Sequence, residues 1–414
     1  MPRYGTRAAV AATSVSKKNN QQQEPHHALS NCTHSGELVN RILKGEERSF
    51  WQQKAASLKG ITVDARTIAD IEMIASGAMS PLEGFMCRDD YNQVLEHMRL
   101  ASGLPWPLPI VLGVSSDEAD DFDVNEHVPL KDAAGTVLAI LHLREKFMVD
   151  NEREAAKVFK TTDRAHPGVK LLLQRKPVLL GGDIDVLNMP VHSEYADYRL
   201  TPSETRHTFE QRGWRRTVAF HTHNPIHRAH EYLQKCALEV CDGLLIQPAL
   251  SEAAADDIPI TTLVECYEQL VANYFPEDRV MLNIFPGPMR YAGPREAVFH
   301  AITRKNYGCT HFIVGRNHAD VGTYYGAYEA KDIFREFGPG ELDIIVLFYE
   351  DAVYCKKCMG MVTVKTCPHS RDEHVSCSGT RMRDMLQRQE RPPAEFARPE
   401  IVDVLLKAAR TTGA

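Results

Sequence analysis

The sequence predicts an α/β protein: a doubly wound parallel sheet, preceded by a β-rich domain and followed by a small cysteine-bearing module. Three observations carry this. From about residue 200, short apolar runs alternate with longer helical patterns. Between about residues 36 and 195, apolar runs are separated by Gly, Pro and Asp turns. Cysteines and histidines crowd between Cys355 and His374.

Taken in order, residues 1–35 are rich in Ala, Ser, Asn and Gln, carry no acid before Glu24, and contain the low-complexity run Asn19–Gln23. Such a composition predicts a disordered tail. Arg3, Arg7, Lys17 and Lys18, unbalanced by acids, also fit an organelle transit peptide. Residues 36–195 form the β-rich domain, with strands at Pro109–Leu112 and Val137–Leu141, a helix starting at Asp70 and a loop from Gly77 to Phe85. Residues 196–345 form the parallel-sheet domain. A helix opens at Thr201-Pro202 with Glu204 placed for a capping box. Then follow strand Val218–Phe220, a helix to about Glu239, strand Gly243–Ile246, helix Thr262–Tyr274, strand Val280–Ile284, helix Pro294–Asn306 and strand His311–Val314. Residues 346–414 hold the cysteine module and a helical tail.

A chain of 414 residues is ample for two or three domains. Its 43% hydrophobic and 25% charged residues are ordinary for a globular protein. A net charge of −7 offers no basic surface for nucleic acid or membrane. No apolar run approaches the ~18–20 residues that span a bilayer. The ten cysteines are scattered outside the one cluster, which points to a reducing cytoplasm.

The chemistry-bearing motifs sit just after strands, where doubly wound sheets bind ligands. His221-Thr222-His223-Asn224-Pro225-Ile226-His227-Arg228-Ala229-His230 follows the first strand. Asn224 is the expected N-cap and Pro225 the first helical residue. His227 and His230, three apart, share a helix face at an N-terminus suited to anions. Gly315-Arg316-Asn317-His318 follows the fourth strand, and Arg316 can offer a forked, permanently charged donor. The loop Pro286–Glu296, with Arg290 and Ala292, has small residues that let amides approach an oxyanion. Ser378-Gly379-Thr380 opens the last helical region with hydroxyls and amides together. Cys355, Cys358 and Cys367 with His369 or His374 have the spacing of a tetrahedral structural zinc site. Spacing leaves both histidines open as the fourth ligand.

These spellings carry a resemblance. His-x-x-His after Asn-Pro is similar to the HxGH nucleotidyltransferases. Asp70–Ile74, Ser80–Met86, Met289–Glu296, Arg304–Cys309 and Ser378–Thr380 resemble the ATP sulfurylase family, over about residues 36 to 410. The resemblance implies a PUA-like N-terminal domain, an HxGH-type catalytic domain and an adenylyltransferase of sulfate assimilation. Its substrates would be Mg-ATP and sulfate, and its products adenosine 5′-phosphosulfate and pyrophosphate. It further implies catalytic roles for His227, His230, Arg316 and Asn224. Nucleotide contacts would come from His227, His230, Arg290, Gly315, Arg316, His318, Ser378 and Gly379. The acceptor anion would meet His221, Thr222, His223 and Ala292. Some relatives carry zinc at the cysteine cluster, and a homo-oligomer is expected. No G-x-x-x-x-G-K-[ST] occurs, so a fused adenylylsulfate kinase is not expected.

The departures fall at the anion end. The family's Gln-Thr-Arg-Asn-Pro reads His221-Thr222-His223-Asn224-Pro225 here, Gly-Arg-Asp-His has Asn317, and a loop usually bearing Thr-Lys reads Glu252–Ala255. An unperturbed imidazole with pKa ~6.5 is only about a quarter charged at pH 7. One lost charged hydrogen bond costs ~1.5–3 kcal/mol. His221 and His223 thus predict weak sulfate binding, imidazolium chemistry at lower pH, or a different acceptor such as a phosphonate, sulfonate or other oxyanion. A catalytically inactive nucleotide-binding paralogue is the remaining alternative.

Overall fold

The computed structural model describes residues 33–223, 226–249, 259–316, 318–319, 321–376 and 379–412. Nearly all of the expected tail lies outside these, as do Asn224, Pro225, Glu252–Ala255, Asn317 and Ser378. The expected tail runs slightly too far, because Thr33 and His34 are buried. The His34 N–H donates to Asn306 Oδ1 at 3.0 Å, and its ring donates to the Pro105 carbonyl at 2.7 Å.

The N-terminal part is a six-stranded mixed sheet whose long members, Val137–Met148 and Val178–Val186, pair antiparallel. The predicted strand at Pro109–Leu112 is corrected to Leu112–Val114, since Pro109 has no amide to give a ladder. The predicted helix at Asp70 begins earlier, at Ala65, because Asp64 accepts from the Thr67 N–H at 2.8 Å.

Beyond residue 200 the alternation is the expected one. Thr201 and Glu204 form a reciprocal capping box on helix Pro202–Gln211. The sheet runs β1 (Thr217–Thr222), β2 (Gly243–Pro248), β3 (Val280–Leu282), β4 (His311–Val314) and β5 (Ile345–Phe348). Helices α1 (Arg228–Leu238), α2 (Ile260–Tyr274) and α3 (Pro294–Asn306) join the first four strands. The spatial order is β5-β4-β1-β2-β3, every pair parallel. From β1 the chain steps outward to β3, then crosses back to set β4 on the other flank of β1. That reversal opens a crevice at the carboxyl ends of β1 and β4.

Two helices decide what surrounds that crevice. The start of α1 is corrected to Arg228, with His227 at the N-cap and no side-chain cap. The Arg228 N–H donates to the Phe396 carbonyl at 2.7 Å, so a distant segment satisfies the first helical amide. All residues of α3 are buried, because it lies between the sheet and the N-terminal domain. Its polar side chains bridge the two: Arg295 donates to the Val94, Leu95 and Pro107 carbonyls, and Asn306 to those of Ala78 and Ser80. Gly293 caps this helix at φ 50°, and a Cβ there would meet the Tyr325 ring at 2.5 Å.

The C-terminal part begins with a three-stranded antiparallel sheet of Val353–Cys355, Gly360–Val362 and His374–Val375. Helices Gly379–Gln387 and Pro399–Thr412 follow, and Ile401, Val402 and Leu405 join the core that holds Leu263 and Tyr267 of α2. Among the described residues no helix is long and apolar enough to cross a membrane.

Candidate active site

A cavity of about 780 Å³ lies over the crevice. The end of β1 brings His221, Thr222 and His223 to it, α1 brings His227 and His230, and the turn after β4 brings Gly315, Arg316 and His318. These residues come from two separate motifs, and the strand order places them together.

His227 and His230 stack with ring centroids 3.7 Å apart. Burial pushes the His227 pKa down to about 4. Burial, then the neighbouring imidazoles of His227 and His223, push that of His230 well below its usual value. Both rings are therefore neutral at pH 7. Each has a buried Nδ1 with no hydrogen-bond partner among the described residues. Arg316 stands at the rim, paired with Asp351 at 2.8 Å and beside the Tyr328 ring. That ion pair is exposed on both sides, so it is weak and exchangeable for a ligand anion.

His221 is buried at the cavity floor. Arg304 Nη2 donates to its Nδ1 at 2.6 Å, and the His300 ring lies 3.8 Å away, centroid to centroid. Burial first, then His300, Arg304, His318 and His223, hold its pKa well below 6.5. The expectation of imidazolium chemistry at His221 is thereby corrected: the ring is neutral because it is buried, with Arg304 and three further imidazoles beside it. His300 Nδ1 and His318 Nε2 lie 3.1 Å apart and extend this imidazole cluster to the β4 turn.

Arg290 and Ala292 do not reach this cavity. They line a second one, of about 360 Å³, between the N-terminal domain and the Met289–Glu296 loop. The Arg290 guanidinium ion-pairs with Asp70, and both side chains are almost buried, at 10% and 6% exposure. The amides of Arg290 and Ala292 both donate to the buried Glu296 carboxylate, at 2.7 and 3.0 Å, so they do not await an oxyanion. Gly379 opens the C-terminal helix.

The side chains of Cys355, Cys358, Cys367 and His369 converge, their ligand atoms all within 4.8 Å of one another. His369 Nδ1 lies 3.4, 3.3 and 3.6 Å from the three sulfurs, and Cys358 Sγ lies 3.8 Å from Cys367 Sγ. His374 Nε2 lies 3.3 Å from Cys367 Sγ, outside the four converging ligand atoms, and the residue lines the large cavity.

Several residues of the site were given no role from the sequence, Arg304 among them although it opens a family spelling. Arg304 and His300, four apart on α3, form the wall behind His221. Asp351, Arg371, His374 and Ser376 close the cavity from the C-terminal module. The i, i+4 spacing on a helix flanked by two glycine loops, together with the family spelling that Arg304 opens, was the signal available for the first pair.

A family model described as ATP-sulfurylase matches residues 196–408, and one described as a PUA-like domain matches residues 31–189. A sulfate adenylyltransferase of Symbiobacterium thermophilum is 50% identical over 374 residues, covering 90% of this chain and 95% of its own. One of Halothermothrix orenii is 49% identical over 375 residues, covering 90% and 98%. One of Trichodesmium erythraeum is 49% identical over 377 residues, covering 91% and 97%. A solved structure titled hexameric APS kinase from Thiobacillus denitrificans has a TM-score of 0.74 at 24% identity, covering 91% of this chain and 68% of that one, a likeness of fold alone.

Proposed function

The chain belongs to the ATP-sulfurylase family, and from that premise we propose that it transfers the adenylyl group of ATP to sulfate. A sulfate oxygen attacks the α-phosphorus, the bond from that phosphorus to the β-phosphate oxygen breaks, and pyrophosphate leaves. Adenosine 5′-phosphosulfate forms. The observation that carries this reading is that two neutral imidazoles at the start of α1, whose buried Nδ1 atoms have no hydrogen-bond partner among the described residues, share one cavity with the His221–His223 strand end. Sulfate is already deprotonated and pyrophosphate leaves as an anion, so the step needs no general base. It needs donors around developing charge, which is what the cavity offers.

In this reading His227 and His230 hold the phosphates of Mg-ATP, while Arg316 exchanges Asp351 for a phosphate oxygen. Gly315 and His318 shape the nucleotide side, and Asn224, Ser378 and Gly379 complete it. His221, Thr222 and His223 face the sulfate. Arg290 and Ala292 act by holding the Met289–Glu296 loop against the N-terminal domain. The same proposal has the protein working in the cytoplasm as a homo-oligomer.

The cysteine cluster fits structural zinc. A tetrahedron with Zn–S of ~2.3 Å and Zn–N of ~2.0–2.1 Å has edges of roughly 3.8 Å between sulfurs and 3.6 Å from sulfur to nitrogen. The observed 3.8 Å and 3.3–3.6 Å separations match it, with His369 as the fourth ligand. Three thiolates and one imidazole close the site, so its part is to hold the module that covers the cavity.

Pyrophosphate release from ATP by the purified protein, measured across a panel of anions, tests the reading. Release that depends on sulfate is expected; release with no anion at all would overturn it.

A further inference from the structure

We propose that Arg304 is a positioning residue that fixes His221 as a donor-only contact, so that the acceptor end of the cavity takes fully deprotonated tetrahedral oxyanions and turns away protonated ones. This rests on the sulfate reading and names the specificity of that same site.

A guanidinium has five N–H donors and no acceptor. At 2.6 Å from His221 Nδ1, Arg304 can only be donating. Nδ1 therefore carries the lone pair, and the ring proton is on Nε2. The reverse tautomer would set two N–H groups face to face. Arg304 is itself held: it is fully buried, its Nη1 donates to Thr303 Oγ1 at 3.0 Å, and its guanidinium lies 3.8 Å over the Phe285 ring. His300, His318 and His223 are the other titratable groups against His221, and among the described residues the carboxylate of Glu296 reaches His300 rather than His221. Among the described residues no acceptor competes with Arg304 for Nδ1.

His221 Nε2 is buried and has no partner among the described residues, on a ring that lines the cavity. A buried N–H requires an acceptor. Sulfate presents four acceptor oxygens and no donor, so it can satisfy Nε2–H in any orientation. Hydrogen phosphate or a phosphonate monoanion brings an O–H that needs an acceptor in turn. The one acceptor nitrogen of His221 is already taken by Arg304. A site whose polar groups are left unmatched by an analogue rejects it. A glutamine at position 221 would repeat this polarity, its carbonyl accepting from Arg304 and its amide donating forward.

The test uses the full chain and two independent readouts. Nitrogen-15 spectra of histidine-labelled protein, with His221 assigned through His221→Gln, are expected to show the Nε2–H tautomer, uncharged from pH 8 to pH 6. An Nδ1–H tautomer, or an imidazolium at pH 6, would overturn the proposal. In steady-state assays the inhibition constant of inorganic phosphate is expected to exceed the sulfate KM at least about tenfold, the scale of one mismatched hydrogen bond. His221→Gln should keep that ratio and Arg304→Gln should collapse it, raising the sulfate KM about tenfold with the ATP KM within about twofold. Arg304→Gln added to His221→Leu should change the sulfate KM less than twofold further, since the arginine then has no imidazole to act through. An unchanged phosphate-to-sulfate ratio in Arg304→Gln would overturn the proposal. Failure of the sulfate reading itself would show separately, as wild-type protein releasing no pyrophosphate, and the tautomer measurement would still decide the Arg304–His221 relation.

Discussion

The imidazoles of His227 and His230 lie face to face, 3.7 Å apart and 20° from parallel. Two imidazolium rings could not share that geometry in a buried wall, so the pair acts as two neutral hydrogen-bonding groups. His227→Ala and His230→Ala are each expected to lower adenylyl transfer by about 10²-fold or more, the scale of a lost oxyanion donor. Circular dichroism should show an intact fold. Unchanged turnover in either variant would mean that this helix does not hold the triphosphate.

The same burial makes stability fall with acid. Folded His227 titrates at about 4 and His318 at about 3, while His221, His230 and His300 are also held low, burial being the largest cause for each. Unfolded histidine takes its proton near 6.5. Below that pH the unfolded chain binds more protons than the folded one, so folding stability is full above pH 6.5 and is lost as pH falls toward 4. Each such histidine removes up to ~1.4 kcal/mol per pH unit. Urea midpoints measured at pH 7.5, 6.5 and 5.5 should drop steeply over the last interval. A constant midpoint would contradict neutral burial of these rings.

One equivalent of zinc per chain is expected by elemental analysis. Cys358→Ser should lose it, together with much of the thermal stability, because a structural site contributes its binding energy to folding. His374→Ala should keep the metal, since His374 lies outside the four converging ligands. The ATP KM of Cys358→Ser should also rise, because Arg371, His374 and Ser376 of that module line the cavity. Metal retained by Cys358→Ser would show that the ligand set is wrong.

Asp70 and Arg290 join the N-terminal domain to the loop beside the active cavity. Asp70→Asn leaves a nearly buried guanidinium without its counter-charge and should cost about 3–5 kcal/mol. Replacing both residues by apolar ones of similar size should restore much of this. A urea-denaturation cycle over the single and double variants measures the coupling, and additive effects would show that the pair is not a unit.

Where structure followed from neighbours in the chain, the sequence was readable. The Thr201–Glu204 capping box, the full extent of α3 and the strand at His311–Val314 all depend on residues within a turn or two. The histidines of the strand-turn-helix motif were legible for the same reason. What stayed hidden was set by distant partners. Asp70 claims Arg290 from 220 positions away, and Arg304 fixes His221 from 83. The choice of His369 over His374 depends on how the small sheet folds the chain back, which spacing does not encode. The start of α1 moved because Phe396 supplies the carbonyl that a local cap was expected to replace.

That last contact has a bearing on how the protein is made. At a synthesis rate of ~5–20 residues per second, the histidine helix leaves the ribosome on the order of ten seconds before Phe396 does. Through that interval the first amide of the helix has only water as its partner, and the wall formed by Arg371, His374 and Ser376 has not yet emerged. A nucleotide-competent cavity is thus a property of the released chain and not of the nascent one. Premature termination between His374 and Phe396 would yield a polypeptide with every histidine of the site but without the carbonyl that receives the first amide of the helix.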